Sequence, residues 1–217
     1  MRAPQSAQVS ELPAGNIKVT RQDWLNCARA RLIQSGIAEV KILSLGAELG
    51  VSRSSFYWYF ESRQDLCDAL LAEWENTNTA ILRQHAAARA DTITQAVCNL
   101  FRCFVNPTLF DQQLDFAVRE WSRRDAQVRQ VIDRSDQERI EAITQMFERF
   151  GVEHALADVR ARVLYFMQIG YYALDLAEPI EERLARTRDY LFAFTGEQPR
   201  DDEIAALRAY ALEVIRE

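Results

Sequence analysis

From Thr20 onward, apolar positions recur at three- and four-residue intervals and nowhere alternate over a useful length, so the chain reads as successive helices without strands. Thr20 and Asp23 form a T-x-x-D capping pair, and Trp24, Leu25, Ala28 and Leu32 follow on one helical face until Gly36 stops it. Ile42, Leu45 and Leu49 mark a short second helix that Gly50 ends, and Ser52 opens a third helix of about two turns. Ser62 with Asp65 starts a fourth, passing Leu66, Leu70 and Trp74 toward Arg89. Further helices are expected at about 92–105, 110–122 and 126–149, with Pro107 and Gly151 as breaks. Val163–Leu174 is apolar almost all round, so it must be buried on most sides, in a subunit interface or in an intramolecular core. The next helix begins at Pro179, with Ile180, Leu184, Thr187, Leu191 and Phe194 on one stripe, and Gly196 and Pro199 close it. A last helix begins near Asp201.

Composition supports an all-α chain. Among 217 residues only 7 are Gly and 5 Pro, while 48% are apolar and 27% charged, a globular balance. The first eighteen residues have no period and read as a mobile tail. The net charge of −6 argues against a nucleic-acid partner, but its distribution does not: residues 1–64 carry a surplus of +3, against −9 for residues 65–217. A basic module on an acidic body can bind a polyanion with one end only. Cys27, Cys67, Cys98 and Cys103 form no C-x-x-C pair and sit in helical apolar patterns, so reduced, buried thiols are expected. The N-terminus lacks an apolar signal core and no run is long enough to span a bilayer, so the cytoplasm and no membrane contact are expected. Neither metal-ligand spacing nor a phosphate loop, nucleophile elbow or histidine cluster occurs; an enzyme is not expected, nor a cofactor.

The stretch Gly50–Leu66 carries the chemistry. Five aromatic residues, Phe56–Phe60, follow one another, and one face of a short helix cannot bury them all. At about 100° per residue, Phe56 and Phe60 point to one side, Ser54 and Trp58 to the other, with Ser55 and Tyr57 on the flanks. Helix, short helix, glycine turn and second helix make a helix-turn-helix layout. In that layout Arg53 can donate two hydrogen bonds to a guanine edge, and Ser54 permits close approach. Tyr57, Trp58 and Tyr59 can donate to phosphate or pack on sugar, while Arg63 and the Ser62-capped helix start face the backbone. A helical protein-interaction module that does not bind DNA is the alternative reading.

Gly50-Val51-Ser52, then Phe56-Tyr57-Trp58-Tyr59-Phe60, then Ser62-Arg63 and Leu66, resembles the signature of the tetracycline-repressor (TetR) family over about residues 20–66. The resemblance implies a dimeric DNA-binding transcriptional regulator, a repressor released from a palindromic double-stranded DNA operator by a small-molecule effector. It implies base contacts at Arg53 and Ser54, further contacts at Ser52 and Ser55, and phosphate contacts at Tyr57, Trp58, Tyr59 and Arg63. Where the family places Thr or Ser at the start of helix two, this chain has Val40 and Lys41, so that contact passes to Lys41 or Ser44. Gly46 replaces a common Ala and should weaken helix two by up to ~1 kcal/mol.

The division expected is residues 19–65 for DNA and 66–217 for effector and dimer, the dimer forming through helices at about 158–177 and 179–195. Trp74, Phe101, Phe104, Phe116, Trp121, Phe147, Tyr165 and Tyr172 are the candidate effector-pocket residues, or else core. Arg119, Glu120 and Gln168 lie within apolar patterns, placed either to orient a ligand or at the surface.

Overall fold

The computed structural model describes residues 19–174, 176 and 178–214, all in helices and the turns between them. The expected tail at residues 1–18 lies outside the described residues.

Helix α1, Arg21–Ser35, starts at the capping box read from the sequence: Asp23 N donates to Thr20 Oγ1 at 3.2 Å and Thr20 N to Asp23 Oδ2 at 2.7 Å. Such a cap contributes about 1 kcal/mol. Helices α2, Ile42–Glu48, and α3, Arg53–Phe56, follow, separated by a turn in which Gly50 takes φ 68°. Helix α3 has one turn rather than two, and Tyr57–Tyr59 continue as a turn. Ser52 stands at the N-cap, but its hydroxyl bonds Ser54 Oγ at 2.7 Å instead of a backbone amide. Gly46 has a physical reason: a Cβ there would lie 3.1 Å from the Val51 carbonyl and 3.5 Å from the Trp24 ring. The intrinsic cost of glycine is thus exchanged for close packing of the turn onto α1.

The fourth helix is interrupted. Helix α4, Arg63–Trp74, passes through a π-helical segment, Glu75–Thr79, into α5, Ala80–Ala87. The π turn places buried Asn78 against the backbone of Asp111, donating to its carbonyl at 2.8 Å and accepting from its amide at 3.1 Å. The body continues with α6, Ile93–Val105; α7, Gln112–Ser122; α8, Ala126–Glu148; and α9, His154–Ala173. Side chains of Thr92, Asp111, Asp125 and Glu153 accept from the first amides of α6 to α9. The helix expected from Pro179 is two, α10, Ile180–Ala185, and α11, Thr187–Thr195; α12, Asp201–Val214, closes the chain. Of the predicted stripe, Leu184, Thr187, Leu191 and Phe194 are buried and Ile180 is half-buried.

Two apolar cores result. One joins Trp24, Leu45, Phe56 and Phe60 of the N-terminal helices to Leu66, Leu70 and Trp74 of α4, and continues into Val118 and Trp121 of α7 and Ile132 of α8. The other fills the body between α5, α6, α8, α9, α11 and α12. All four cysteines are buried and free, and burial pushes the Cys98 and Cys103 thiols up to about 12. No helix among the described residues is long and apolar enough to cross a membrane.

Val163–Leu174 is covered on one side only within the chain. Leu164, Tyr165 and Gln168 are buried, but Val163 and Phe166 are 55% and 52% exposed. With Leu156 and Val159 they form an open apolar stripe along α9, and Phe192 of α11 is exposed as well. Only one side of this all-round apolar helix packs within the chain.

Candidate nucleic-acid interface

The N-terminal module sorts its five consecutive aromatics as helical geometry requires. Phe56 and Phe60 are buried, with ring centroids 5.3 Å apart, and Trp24 meets the Phe56 ring edge-on at 5.2 Å. Trp58 is 84% exposed, the most open large apolar side chain described, and Tyr57 is half exposed. Arg53 lies over the Tyr57 ring and donates to its hydroxyl at 2.9 Å, which steadies the guanidinium at the outer surface. Ser52 and Ser54 are exposed beside it, and Ser55 is half-buried. Lys41 is exposed before α2, paired with Glu39 at 3.0 Å; such a pair in water contributes little and can exchange for a phosphate. Ser44 is half-buried on α2.

Two residues expected at the phosphates are engaged within the module. The Tyr59 hydroxyl donates to the Val19 carbonyl at 2.7 Å and ties the entry of α1 to the turn after α3. Arg63 turns inward and donates to the Val40 carbonyl at 2.7 Å and the Ile37 carbonyl at 2.6 Å, closing the short 3-10 turn Ile37–Glu39. Ser62 Oγ accepts from the Asp65 amide at 3.1 Å, so the first turn of α4 is capped from within. These side chains hold the helix-turn-helix in shape, and Arg53, Tyr57 and Trp58 face outward from it.

The module is joined to the body through a buried polar cluster whose centre, Asp115 with Arg139, sequence patterns did not single out. Trp74, the last residue of α4, donates its indole N–H to Asp115 Oδ1 at 2.9 Å. Arg139, fully buried, donates to Asp115 Oδ1 at 2.9 Å, to Tyr165 Oη at 3.1 Å and to Thr79 Oγ1 at 3.0 Å, with its guanidinium 4.8 Å from the Trp74 ring centroid. Arg119 bridges Asp115 at 2.9 Å and Asp136 at 2.7 Å. Burial alone would raise the Asp115 carboxyl, but Arg139 and Arg119 outweigh it and hold the group below the usual carboxylate range. At the surface, Arg29 of α1 pairs with Asp111 beside the same cluster.

The expected effector-pocket residues separate into two groups. Trp74, Phe104, Phe147 and Tyr165 are packed in the cores. Trp121 also lies in the first core, with an edge on a shallow hollow beside α1. Phe101 lines a half-open hollow of the body, and Phe116 and Tyr172 line an adjoining one. Of the polar candidates, Arg119 belongs to the buried cluster, Glu120 is a surface residue paired with Arg123, and Gln168 lines the first of these hollows.

A helix-turn-helix module with outward Arg, Tyr and Trp, carried on a larger helical body, is the build of a DNA-binding transcriptional regulator. Residues 25–70 match the family model of bacterial regulatory proteins of the tetR family. Among solved structures the chain is similar to a putative transcriptional regulator of the TetR/AcrR family, with TM-score 0.58, 18% identity, and 88% of this chain and 97% of that chain covered. It is similar to Mycobacterium smegmatis AmtR at TM-score 0.59 and 18% identity, covering 94% and 98% of the two chains. It also resembles the ketosteroid transcriptional regulator KstR2 of Mycobacterium tuberculosis, at TM-score 0.57 and 14% identity over 87% and 99%. Sequence comparison with curated proteins finds no match. Residues 25–70 thus match the DNA-binding module of the tetR family, and the chain as a whole shares the fold of these solved regulators.

Proposed function

We propose that this protein is a dimeric repressor, released from a palindromic DNA operator when a small molecule binds its body. The observation that carries the reading is the outward placement of Arg53, Tyr57 and Trp58, while Phe56, Tyr59 and Phe60 of the same run pack or bond within the module. Arg53 and Ser54 meet base edges; Ser52, Ser55, Tyr57, Trp58, Lys41 and Ser44 meet sugars and phosphates. Residues 19–65 read DNA and 66–217 take the effector and the second subunit. The open stripe Leu156, Val159, Val163 and Phe166 on α9, with Phe192 on α11, supports dimerisation through these two helices. The earlier bounds of the first dimer helix take in residues 175 and 177, which lie outside the described residues. Two recognition helices then stand about one DNA turn apart, roughly 34 Å. Trp74, Asn78 and Arg29 tie the module to α7, so an effector that favours a different packing of the body lowers DNA affinity by population shift.

The test is fluorescence anisotropy on DNA from upstream of the protein's own gene, across a salt series, beside Arg53→Ala. Binding should weaken steeply with salt through counterion release. Arg53→Ala should cost about 1–3 kcal/mol and relax sequence preference. A flat salt response with no effect at Arg53 would instead assign the exposed aromatics to a protein partner.

A further inference from the structure

Two hollows of the body meet at Arg183. The first, of about 70 Å³, lies among α6, α9, α10, α11 and α12. The second, of about 390 Å³, opens beside it and reaches Ile33 of α1, at the edge of the DNA-binding module. Tyr171 and Arg183 line both. Among the described residues that line the two hollows, Arg183 is the one charged side chain.

Arg183 is half-buried and is held by a ring rather than by a counterion. Its guanidinium lies 5.0 Å from the centroid of the Tyr171 ring, and it is in no ion pair among the described residues. The carboxylates closest along the wall, Glu178 and Asp111, line a third hollow that Arg183 also borders, and neither lines the first two. Each already has a cation, Arg186 for Glu178 and Arg29 for Asp111. The uncompensated charge where the first two hollows meet is therefore positive.

The remaining wall offers little polar competition. Phe101, Val105, Met167 and Leu207 make the first hollow mainly apolar. The hydroxyls of Tyr171 and Tyr190 bond each other at 2.9 Å, and Gln168 is buried against the Tyr172 hydroxyl. A charge beside such a wall acts more strongly than in bulk water. A guanidinium presents its N–H groups as a planar fork, which a carboxylate meets with two parallel hydrogen bonds. One guanidinium balances one negative charge, whereas a phosphate monoester carries about two near neutral pH.

We infer that Arg183 anchors a small apolar monocarboxylate. The carboxylate sits on the guanidinium where the two hollows meet, and the hydrocarbon tail lies against Phe101, Val105 and Leu207. The inference rests on the proposed effector role of the body. A ligand so placed stands between the interior of the body and the hollow that reaches α1.

The experiment is calorimetric titration of the full chain, without DNA, using hexanoate, hexanamide, hexylamine and hexyl phosphate. These share a tail and differ in the charge and shape of the head. Hexanoate should bind at least about tenfold more tightly than hexanamide, the scale of one charge-assisted hydrogen bond, and hexylamine should show no saturable binding. Arg183→Gln, with an unchanged helical spectrum, should bring hexanoate down to the level of the amide. A series from propanoate to hexanoate on the unaltered chain needs no variant, and affinity should rise by up to about fourfold per methylene. Equal or tighter binding of the amide, the amine or hexyl phosphate overturns the inference. So does the absence of saturable hexanoate binding at millimolar concentration, binding unchanged by Arg183→Gln, or affinity independent of tail length. Hexanoate binding that depends on Arg183 while DNA affinity stays the same upholds the ligand class and overturns the effector reading alone.

Discussion

Phe56–Phe60 and Val163–Leu174 both hold more apolar side chains than one helix face can bury, and each resolves the surplus differently. In the first, the inward pair Phe56 and Phe60 packs on Trp24, and the outward residues are Tyr57 and Trp58. Both have a polar edge, and Arg53 sits against Tyr57. In the second, Leu164, Tyr165 and Gln168 go inward, and the outward residues are Val163 and Phe166, with no polar edge. An aromatic with an N–H or O–H beside a cation suits a hydrated polyanion; an aliphatic and phenyl stripe suits a dry contact with another protein surface. The character of the outward side chains, more than the amount of apolar surface, separates the two.

Between these faces lies the buried Asp115–Arg139 pair, and breaking it should disturb both. Asp115→Ala leaves Arg139 charged and unpaired in the interior, so unfolding free energy should fall by about 3–5 kcal/mol in urea titration. Acid removes the same charge. The folded-state pKa of Asp115 is lowered, so its stabilising contribution is present above the ordinary value of 3.8 and is lost as pH falls through the folded value. The wild-type urea midpoint should therefore drop below pH 3.8, and Asp115→Asn should flatten that part of the profile.

The first stretch can be split by paired substitutions. Phe56→Ala should cost about 3–5 kcal/mol of stability, because it empties the contact between Trp24 and Phe60. Trp58→Ala, two residues later, should leave stability within about 0.5 kcal/mol and weaken DNA binding instead. Equal losses of stability from both would remove the distinction between the two sides of the turn. In the second stretch, Phe166→Glu should convert a dimer to a monomer by light scattering, a loss of at least about 2 kcal/mol of association if the stripe is central to the contact. An unchanged mass would place the interface elsewhere. The smallest effect expected is for Tyr59→Phe: about 1 kcal/mol of stability lost with the Val19 bond, and no change in DNA affinity. A loss of DNA affinity without loss of stability would return Tyr59 to the phosphate contacts.

Much of the site was legible because its signals are local. The Thr20–Asp23 box, the Gly36 and Gly50 stops and the division of Phe56–Phe60 each depend on neighbours within one or two turns. What the sequence did not show involved partners distant along the chain. Arg63 fits a phosphate contact by position, yet its acceptors are carbonyls at Val40 and Ile37. Arg139 looks like an ordinary polar residue of a long amphipathic helix, and only the arrival of Asp115, Thr79 and Tyr165 makes it the centre of the body. Gln168 was visible as a polar residue in an apolar run, but whether it was buried or faced solvent was not.

The sequence by itself determined the helical class, most helix bounds, the helix-turn-helix and which aromatics of Phe56–Phe60 turn inward, since periodicity, caps and turn glycines act over a few residues. Only the tertiary structure decided which candidates were core and which lined a hollow, because burial depends on elements brought together from separate parts of the chain. The same holds for the open face of α9: an apolar residue reads alike whether its cover is intramolecular or a second molecule, and only packing the other helices leaves Val163 and Phe166 uncovered.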